Sequence, residues 1–229
     1  MRRGSRYIAR QATLLAVSER PSLDDLHFGA VVYASDGVQV GTLHRLVVDE
    51  ESLDPHSVVV KETRHFSGHH LGGSALIEDD VAIPLSDVRS AHHDRVELAV
   101  DSTAVRHTVP YLSYRYAPLT GRDAANMVLA QIGQSAYIPR LIEEAHKRLD
   151  ELEITPGENV MLGRSGRKLG TVRDVLFDGN EMIGVVMHPG LFKEDVVLQV
   201  RFLGRSDDLA LFAHLTEDDL QHLQPFHPE

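Results

Sequence analysis

Apolar and polar residues alternate with a period of two over several short stretches of this chain, and the alternating stretches fall into two matching blocks. In the first block, Ala30-Val-Val-Tyr33 leads into a Ser35-Asp36-Gly37 turn, and Val40 to Val48 alternates well enough for a strand. An Asp-Gly pair between apolar runs predicts a tight hairpin, because glycine accepts a positive φ without a Cβ clash. Further strands are predicted at Ser57–Val60, at Val81–Pro84 with Val88, and at Arg95–Val100. Pro84 lacks a backbone donor, which points to a strand end or an edge. The stretch from Glu62 to Asp80, with Gly68, Gly72 and Gly73, reads as a surface loop.

The second block repeats the order. Asn159–Leu162 precedes a Ser165-Gly166 turn, and strands are predicted at Leu169–Phe177, Ile183–Met187, Val196–Phe202 and Leu209–Phe212. Thr216 is placed to cap a short helix whose first turn carries Glu217, Asp218 and Asp219, which suits the positive end of a helix dipole. Each block finishes on a proline–aromatic pair, Pro110-Tyr111 and Pro225-Phe226.

Between the blocks the period becomes helical. Thr120-Gly-Arg-Asp123 has capping-box spacing, and Met127, Val128 and Ile132 fall on one face before Gly133. A second helix is predicted from about Pro139 to Leu152, since Ile138, Leu141, Ile142, Ala145, Leu149 and Leu152 follow the i, i+3, i+4 rule. Such a stripe needs cover, either from one of the β units or from another chain.

The two blocks share one pattern, 129 residues apart: Asp36-Gly-Val-Gln-Val-Gly41-Thr-Leu-His-Arg-Leu-Val-Val-Asp49 and Ser165-Gly-Arg-Lys-Leu-Gly170-Thr-Val-Arg-Asp-Val-Leu-Phe-Asp178. An internal repeat sets the architecture: two small, similarly folded β units. Gly41, inside a predicted strand, suggests a bulge or a close backbone crossing. Asp36, Gly37, Gly41, Pro84, Gly166 and Gly170 are the structural repeat positions.

With these residues in hand, the chain resembles the PRC-barrel family, in tandem. The resemblance rests on Gly29-Ala-Val-Val-Tyr-Ala-Ser-Asp-Gly37 with Gly41, on the strand closing at Asp49, on Ser57–Val60, and on Ile83-Pro-Leu-Ser-Asp-Val88 followed by Arg95-Val-Glu-Leu98. In the second block it rests on Gly170-Thr-Val-Arg-Asp-Val, Pro189-Gly-Leu-Phe-Lys-Glu-Asp195 and Leu215-Thr-Glu-Asp-Asp-Leu220. There Ser165 replaces the turn Asp, and Val197-Leu-Gln-Val200 lacks the proline. The resemblance implies small β-barrels: the family is known as the cytoplasmic barrel of the photosynthetic reaction-centre H subunit and as the C-terminal domain of a ribosome-maturation factor. Those roles imply protein–protein contact without chemistry in the barrel, and a fold alone does not confer a function. The fold class expected is all-β with a minor helical part: two PRC-type barrels joined by a helical linker. The domains run 1–23 (basic arm), 24–112, 113–153 (helical linker) and 154–229.

Composition narrows the function. The chain has 229 residues, 42% apolar and 25% charged, which suits a soluble globular protein with room for one large or two modest domains. It has no Cys, which excludes disulfides and thiolate chemistry and fits a cytoplasmic location. No stretch approaches a membrane-spanning length. The net charge of −11 is uneven. Residues 1–23 carry five Arg and one Glu, whereas 24–112 carry six basic and fifteen acidic residues. An acidic body repels phosphate backbones, so direct nucleic-acid binding is not expected.

No catalytic residues are assigned and no cofactor is expected: neither a nucleophile elbow nor a phosphate-binding glycine loop appears. Arg164, Arg167, Lys168 and Arg173 surround the second hairpin as a basic patch able to grip a phosphate or an acidic partner. His65, His69 and His70 share one loop and are the candidates for a metal site, against the simpler reading of solvated surface histidines. The leading expectation is a non-catalytic interaction or scaffold protein with an unknown protein partner, including a second copy of itself as a homodimer. The alternatives are a ribosome- or RNA-processing-associated adaptor, and a metal-responsive binding protein using the His65–His70 loop.

Overall fold

The computed structural model describes residues 23–67, 80–92, 94–118, 120–131, 141–190, 194–207 and 210–227. The basic arm before Leu23, most of the 62–80 insert, and Ile132 to Arg140 lie outside the described residues.

In the first half, β1 (Val31–Tyr33), β2 (Gln39–Asp49), β3 (Pro55–Glu62), a one-turn helix α1 (Arg64–Ser67), β4 (Asp80–Pro84), β5 (Val88–His92), β6 (Arg95–Leu98) and α2 (Ser102–Arg106) follow one another. The sheet order is β4-β3-β2-β1-β6-β5, antiparallel except for the parallel pair β1 and β6. β4 and β5 are therefore opposite edges of the sheet, yet only the 3₁₀ turn Leu85–Asp87 separates them. Three residues rise roughly 6 Å in such a turn, so the sheet curls until its edges meet at that corner. Pro84 ends the edge strand β4 and opens the turn, as its missing donor demands. Among the described residues no strand pairing joins β4 to β5, so the closed cylinder expected from the sequence is not found. The corner is held by the covalent chain.

Next come β7 (Leu112–Tyr116), α3 (Gly121–Gln131), β8 (Leu141–Ala145) and β9 (Glu151–Ile154). β7 and β8 form a separate antiparallel ribbon that carries α3 between them. The helix predicted over 139–152 is absent: its described part is strand, turn and strand. The residues that suggested a helical stripe part company. Leu152 is buried, whereas Leu149 sits in the turn fully exposed. The reason is pairing: β9 hydrogen-bonds to β2 from Leu46 to Asp49, so Leu152 and Ile154 both face the core with a period of two. α3 runs as predicted, capped by Thr120 and Asp123, whose hydroxyl and carboxylate lie 2.6 Å apart.

The second half contains β10 (Asn159–Leu162), β11 (Arg167–Asp178), β12 (Glu181–His188), β13 (Val196–Gln199), β14 (Leu203–Asp207), β15 (Ala210–Ala213), α4 (Glu217–Gln221) and β16 (Gln224–Pro225). Its order, β14-β15-β10-β11-β12-β13, matches the first sheet strand for strand, again with one parallel pair, β10 and β15. The 3₁₀ turn Val200–Phe202 forms the same corner, where one long strand was predicted. The register irregularities also repeat at the 129-residue offset: β2 shifts at Leu43/Arg45 and Val47/Val48, and β11 at Val172/Asp174 and Leu176/Phe177. The proline–aromatic pairs clasp equivalent edges, Tyr111 N–H donating to Asp80 O (2.7 Å) and Phe226 N–H to Asp195 O (2.8 Å). Thr216 caps α4 in a complete capping box with Asp219.

The halves exchange their leading segments. β9, which precedes the second sheet, adds to β2 of the first. Residues 23–28, which precede the first sheet, bind the second: Leu23 N–H donates to Gly179 O (2.8 Å), Gly179 N–H to Asp24 Oδ1 (2.5 Å), and Phe28 N–H to Asp174 Oδ1 (2.8 Å). Leu23, Leu26, Leu152 and Ile154 consequently lie in one apolar cluster that contains residues of both sheets. Buried apolar residues of the two sheets thus join in one cluster, beside a smaller one formed by Val47, Val59, Tyr111 and Leu112.

Gly41 and Gly170 mark the tightest crossings. A Cβ on Gly41 would run into the carbonyl of Lys61 and the Val60 side chain, and one on Gly170 into the carbonyl of His188 and the Met187 side chain. Gly37 and Gly166, by contrast, supply positive φ values of 80° and 67° at the two hairpins. Gly41→Ala is expected to lower unfolding stability by about 2–4 kcal/mol, because backbone cannot yield as a side-chain end can. Gly121→Ala, in open space at the start of α3, should be neutral or slightly stabilising. Urea unfolding of both variants checks the contrast.

Asp174 gives a pH test. Burial raises its pKa, outweighing the N–H groups of Phe28 and Val175 that its carboxylate accepts. The folded state thus holds this proton more tightly than the unfolded chain does, so the ionised form costs stability above the usual Asp range and the cost fades as pH falls into it. Asp174→Asn keeps the acceptor oxygen. Its melting temperature should exceed wild type at pH about 7, and the gap should shrink toward pH about 4; a gap that widens on acidification would contradict the assignment.

Candidate interaction surfaces

Where the ribbon joins the first sheet, five polar side chains that are far apart in sequence come together. Arg45 of β2 donates from Nη1 to Glu153 Oε2 of β9 (2.9 Å), and its Nε lies 3.6 Å from Asp80 Oδ2 at the start of β4. Lys147 Nζ lies 3.5 Å from Glu153 Oε1. The Asp80 side chain is wholly buried, and those of Arg45, Glu153 and Lys147 are each 16% exposed. Tyr111 completes the group. Burial pushes its phenol well above the usual tyrosine range, and the nearby Glu153 charge adds to the effect. The two cations balance the two carboxylates, which is the condition for holding charge away from water. Tyr111 and Leu112 also cover Val47 and Val59 on the outer face of the first sheet, with Ala82 and Ala145 packed around them. The cluster is a clamp that fixes the ribbon's base.

At the far end of the ribbon, α3 makes no substantial packing contact with either sheet among the described residues. Met127, Val128 and Leu129 are 38%, 61% and 38% exposed. The sequence placed Met127 and Val128 on one face of this helix, and of the two Val128 is the more exposed.

The second half carries a more open version of the clamp. Asp195 stands where Asp80 does, and it pairs with Arg173 Nε (3.2 Å) and with His188 Nδ1 (2.7 Å). Arg173, a member of the predicted basic patch, therefore pairs with Asp195. Arg167 and Lys168 are exposed at the start of β11, next to the 3₁₀ turn Gly163–Ser165 that contains the Arg164 backbone; the Arg164 side chain lies outside the described residues. Asp36, in the first hairpin, accepts from Ser102 Oγ at 2.6 Å, which holds its carboxyl below the usual range and ties the hairpin to α2. Ser165, in its place, bonds within its own turn, to Leu162 O. His65 is exposed on α1, while His69 and His70 lie outside the described residues. Among the described residues no three His, Asp or Glu side chains converge to hold a metal ion. Among them also, no helix is long and apolar enough to cross a membrane.

With the first sheet's order, glycine crossing and proline corner in view, comparison with known families is decisive for one region. Residues 28–105 are a PRC-barrel domain. No curated protein matches the chain. The PRC-barrel domain spans β1 to most of α2, so Arg45 and Asp80 lie inside it, whereas Tyr111, Lys147 and Glu153 lie beyond its end. The clamp thus joins the PRC-barrel domain to the segment that follows it. This cluster was invisible in the sequence, since Arg45 and Glu153 are 108 positions apart and neither lies in a motif.

Arg45→Met is expected to cost about 3–5 kcal/mol in urea unfolding, because it leaves Asp80 and Glu153 buried without their guanidinium. Arg95→Met, which breaks the exposed pair of Arg95 with Glu97, should change stability by less than about 1 kcal/mol.

Proposed function

We propose that the chain is a tandem of two PRC-type domains and acts as a non-catalytic, cytoplasmic protein-interaction scaffold. The tandem reading is supported by the shared strand order, the register shifts at one constant offset, the two glycine crossings and the two proline–aromatic clasps. On this reading each sheet is a small barrel whose wall is completed by its 3₁₀ corner. The single observation that carries the interaction role is the exposed apolar run Met127-Val128-Leu129, held on a clamped ribbon away from both sheets. A helix that exposes three consecutive apolar side chains, on an arm fixed at its base, is built to be covered by a protein surface. A second copy of the chain is one such partner.

Val128→Glu is the direct test. Its effect on melting temperature should be within about 2 °C, since Val128 packs against little. Self-association in a light-scattering concentration series, or capture of protein partners by the full chain, should weaken at least about tenfold, because a charge is buried in the contact. If neither changes, α3 is not the contact surface and the scaffold reading loses its support.

A further inference from the structure

We propose that the outer face of the second half is a docking surface for the chain's own basic arm, residues 1–22, in the place that ribbon strand β8 holds over the first half. This contact is separate from α3 and does not depend on the interaction reading.

The repeat defines the face. In the first sheet Arg45 pairs with Val59, and Val47 follows two positions along β2; in the second, Asp174 pairs with Val186, and Leu176 follows two positions along β11. Val47 and Val59 are buried under Tyr111, Leu112 and Ala145. On the second half Phe226 stands where Tyr111 does, but the place of Leu112 falls to His227, which is exposed. Leu176 is only half-buried where Val47 is buried, and Ile183, next to its partner Gly184, is 44% exposed. Val186 is fully buried, yet it belongs to neither apolar cluster formed among the described residues.

The exchange of leading segments says which piece of chain arrives there. Glu151, beside Asp49 at the end of β2, is reached from β8 through a short turn. Leu23 holds the matching point on the second half, donating to Gly179 O just past the end of β11 (2.8 Å). An offset of 128 carries Glu151 onto Leu23, and it also carries Gly157 onto Gly29, which donate to the equivalent carbonyls of Val172 and Leu43. The same offset carries Ala145 onto Val17, His146 onto Ser18 and Arg148 onto Arg20. Val17 then covers Val186 and Leu176 as Ala145 helps to cover Val59 and Val47. Leu15, two positions away, shares its side of an extended segment. His146 N–H donates to Tyr111 O (2.7 Å), so the counterpart bond runs from Ser18 N–H to Phe226 O. The run Leu14–Val17 ends six positions before Leu23, a reach of at most roughly 20 Å, so it stays over the sheet that Leu23 is tied to.

Charge favours the same occupant. The first half balances its clamp with two cations and two carboxylates. On the second half the acid Asp174 replaces the base Arg45, and Asp24, Asp178 and Glu181 are exposed around the point where Leu23 enters. Among the described residues named on this face, five carboxylates (with Asp195) stand against the single guanidinium of Arg173, which Asp195 already engages together with His188. The arm carries five Arg and one Glu. Opposite fields of this kind draw a tethered segment onto its face and fix its orientation.

The test attaches a nitroxide to Ser18→Cys, the sole cysteine of the full chain, and follows the amide signals. The label should broaden the signals of Leu176, Val186 and Phe226 and leave those of Val47 and Val59 sharp. In a mixture of labelled chain with unlabelled, isotope-enriched chain the broadening should vanish, because each arm serves its own face. Leu15→Glu with Val17→Glu should reduce the broadening at least about tenfold, since it presses charge against apolar side chains. Arg10→Glu with Arg20→Glu, which cancels the arm's net charge, should reduce it at least about threefold. Both variants leave the sheets untouched and should keep the wild-type circular dichroism spectrum. The proposal is overturned if the label broadens none of the three signals, or broadens Val47 and Val59 equally. It is also overturned if the broadening persists in the mixture, which makes a second copy's arm the occupant, or if either double variant retains it in full.

Discussion

The reciprocal donation of leading segments governs this molecule. β9 pairs with the far half of β2, beyond its ladder with β1, and residues 23–28 brace the equivalent region of the second sheet. Neither half is finished by its own chain. Leu23, Leu26, Leu152 and Ile154 each contribute about 1.5–3 kcal/mol by burial, and all four sit in the joint core. The arrangement has the logic of a two-fold dimer interface, in which each partner offers the other the same element, written here into one polypeptide. The clamp around Glu153 reinforces one side of this exchange, and the Asp24 and Asp174 hydrogen bonds reinforce the other.

Much of this was legible in the residues. The spacing of Gly37 to Gly41 and Gly166 to Gly170 located both hairpins and the Gly41 crossing, because a hairpin that needs a positive φ and a strand that passes hard against its neighbour admit few side chains. Pro84 correctly marked an edge, and Thr216 correctly marked a helix start. The errors cluster where long-range pairing decides. Residues 141–154 carry apolar side chains at helical spacing, but β2 presents an open edge and claims 151–154 as a strand. The corners at 85–87 and 200–202 were hidden as well, since Val-Leu-Gln-Val-Arg-Phe reads as a single extended run unless the opposite edge strand is known to lie beside it. The clamp had no local signature at all, because its members meet only after both sheets have formed.

The two halves share a scaffold and differ in what they add to it. The first hides its charged cluster under Tyr111 and the ribbon base, and sends an arm outward. The second leaves the corresponding Asp195 in a more open pair with His188 and Arg173, and its corner exchanges a proline and a serine for an amide and a guanidinium. Repetition supplies the strand order and the glycine crossings, and the halves differ at the clasp, at the corner and in the segment between them.

The exchange of segments has a consequence for any attempt to divide the protein. A break in the backbone between α3 and β8 would separate 23–131 from 141–227, and each fragment would carry away the piece that seals the other. Such fragments would be complementing halves, each exposing apolar surface until it met its counterpart. A polypeptide built this way is a covalently tethered pair of mutual chaperones, and its gene can be duplicated or fused whole far more readily than it can be cut.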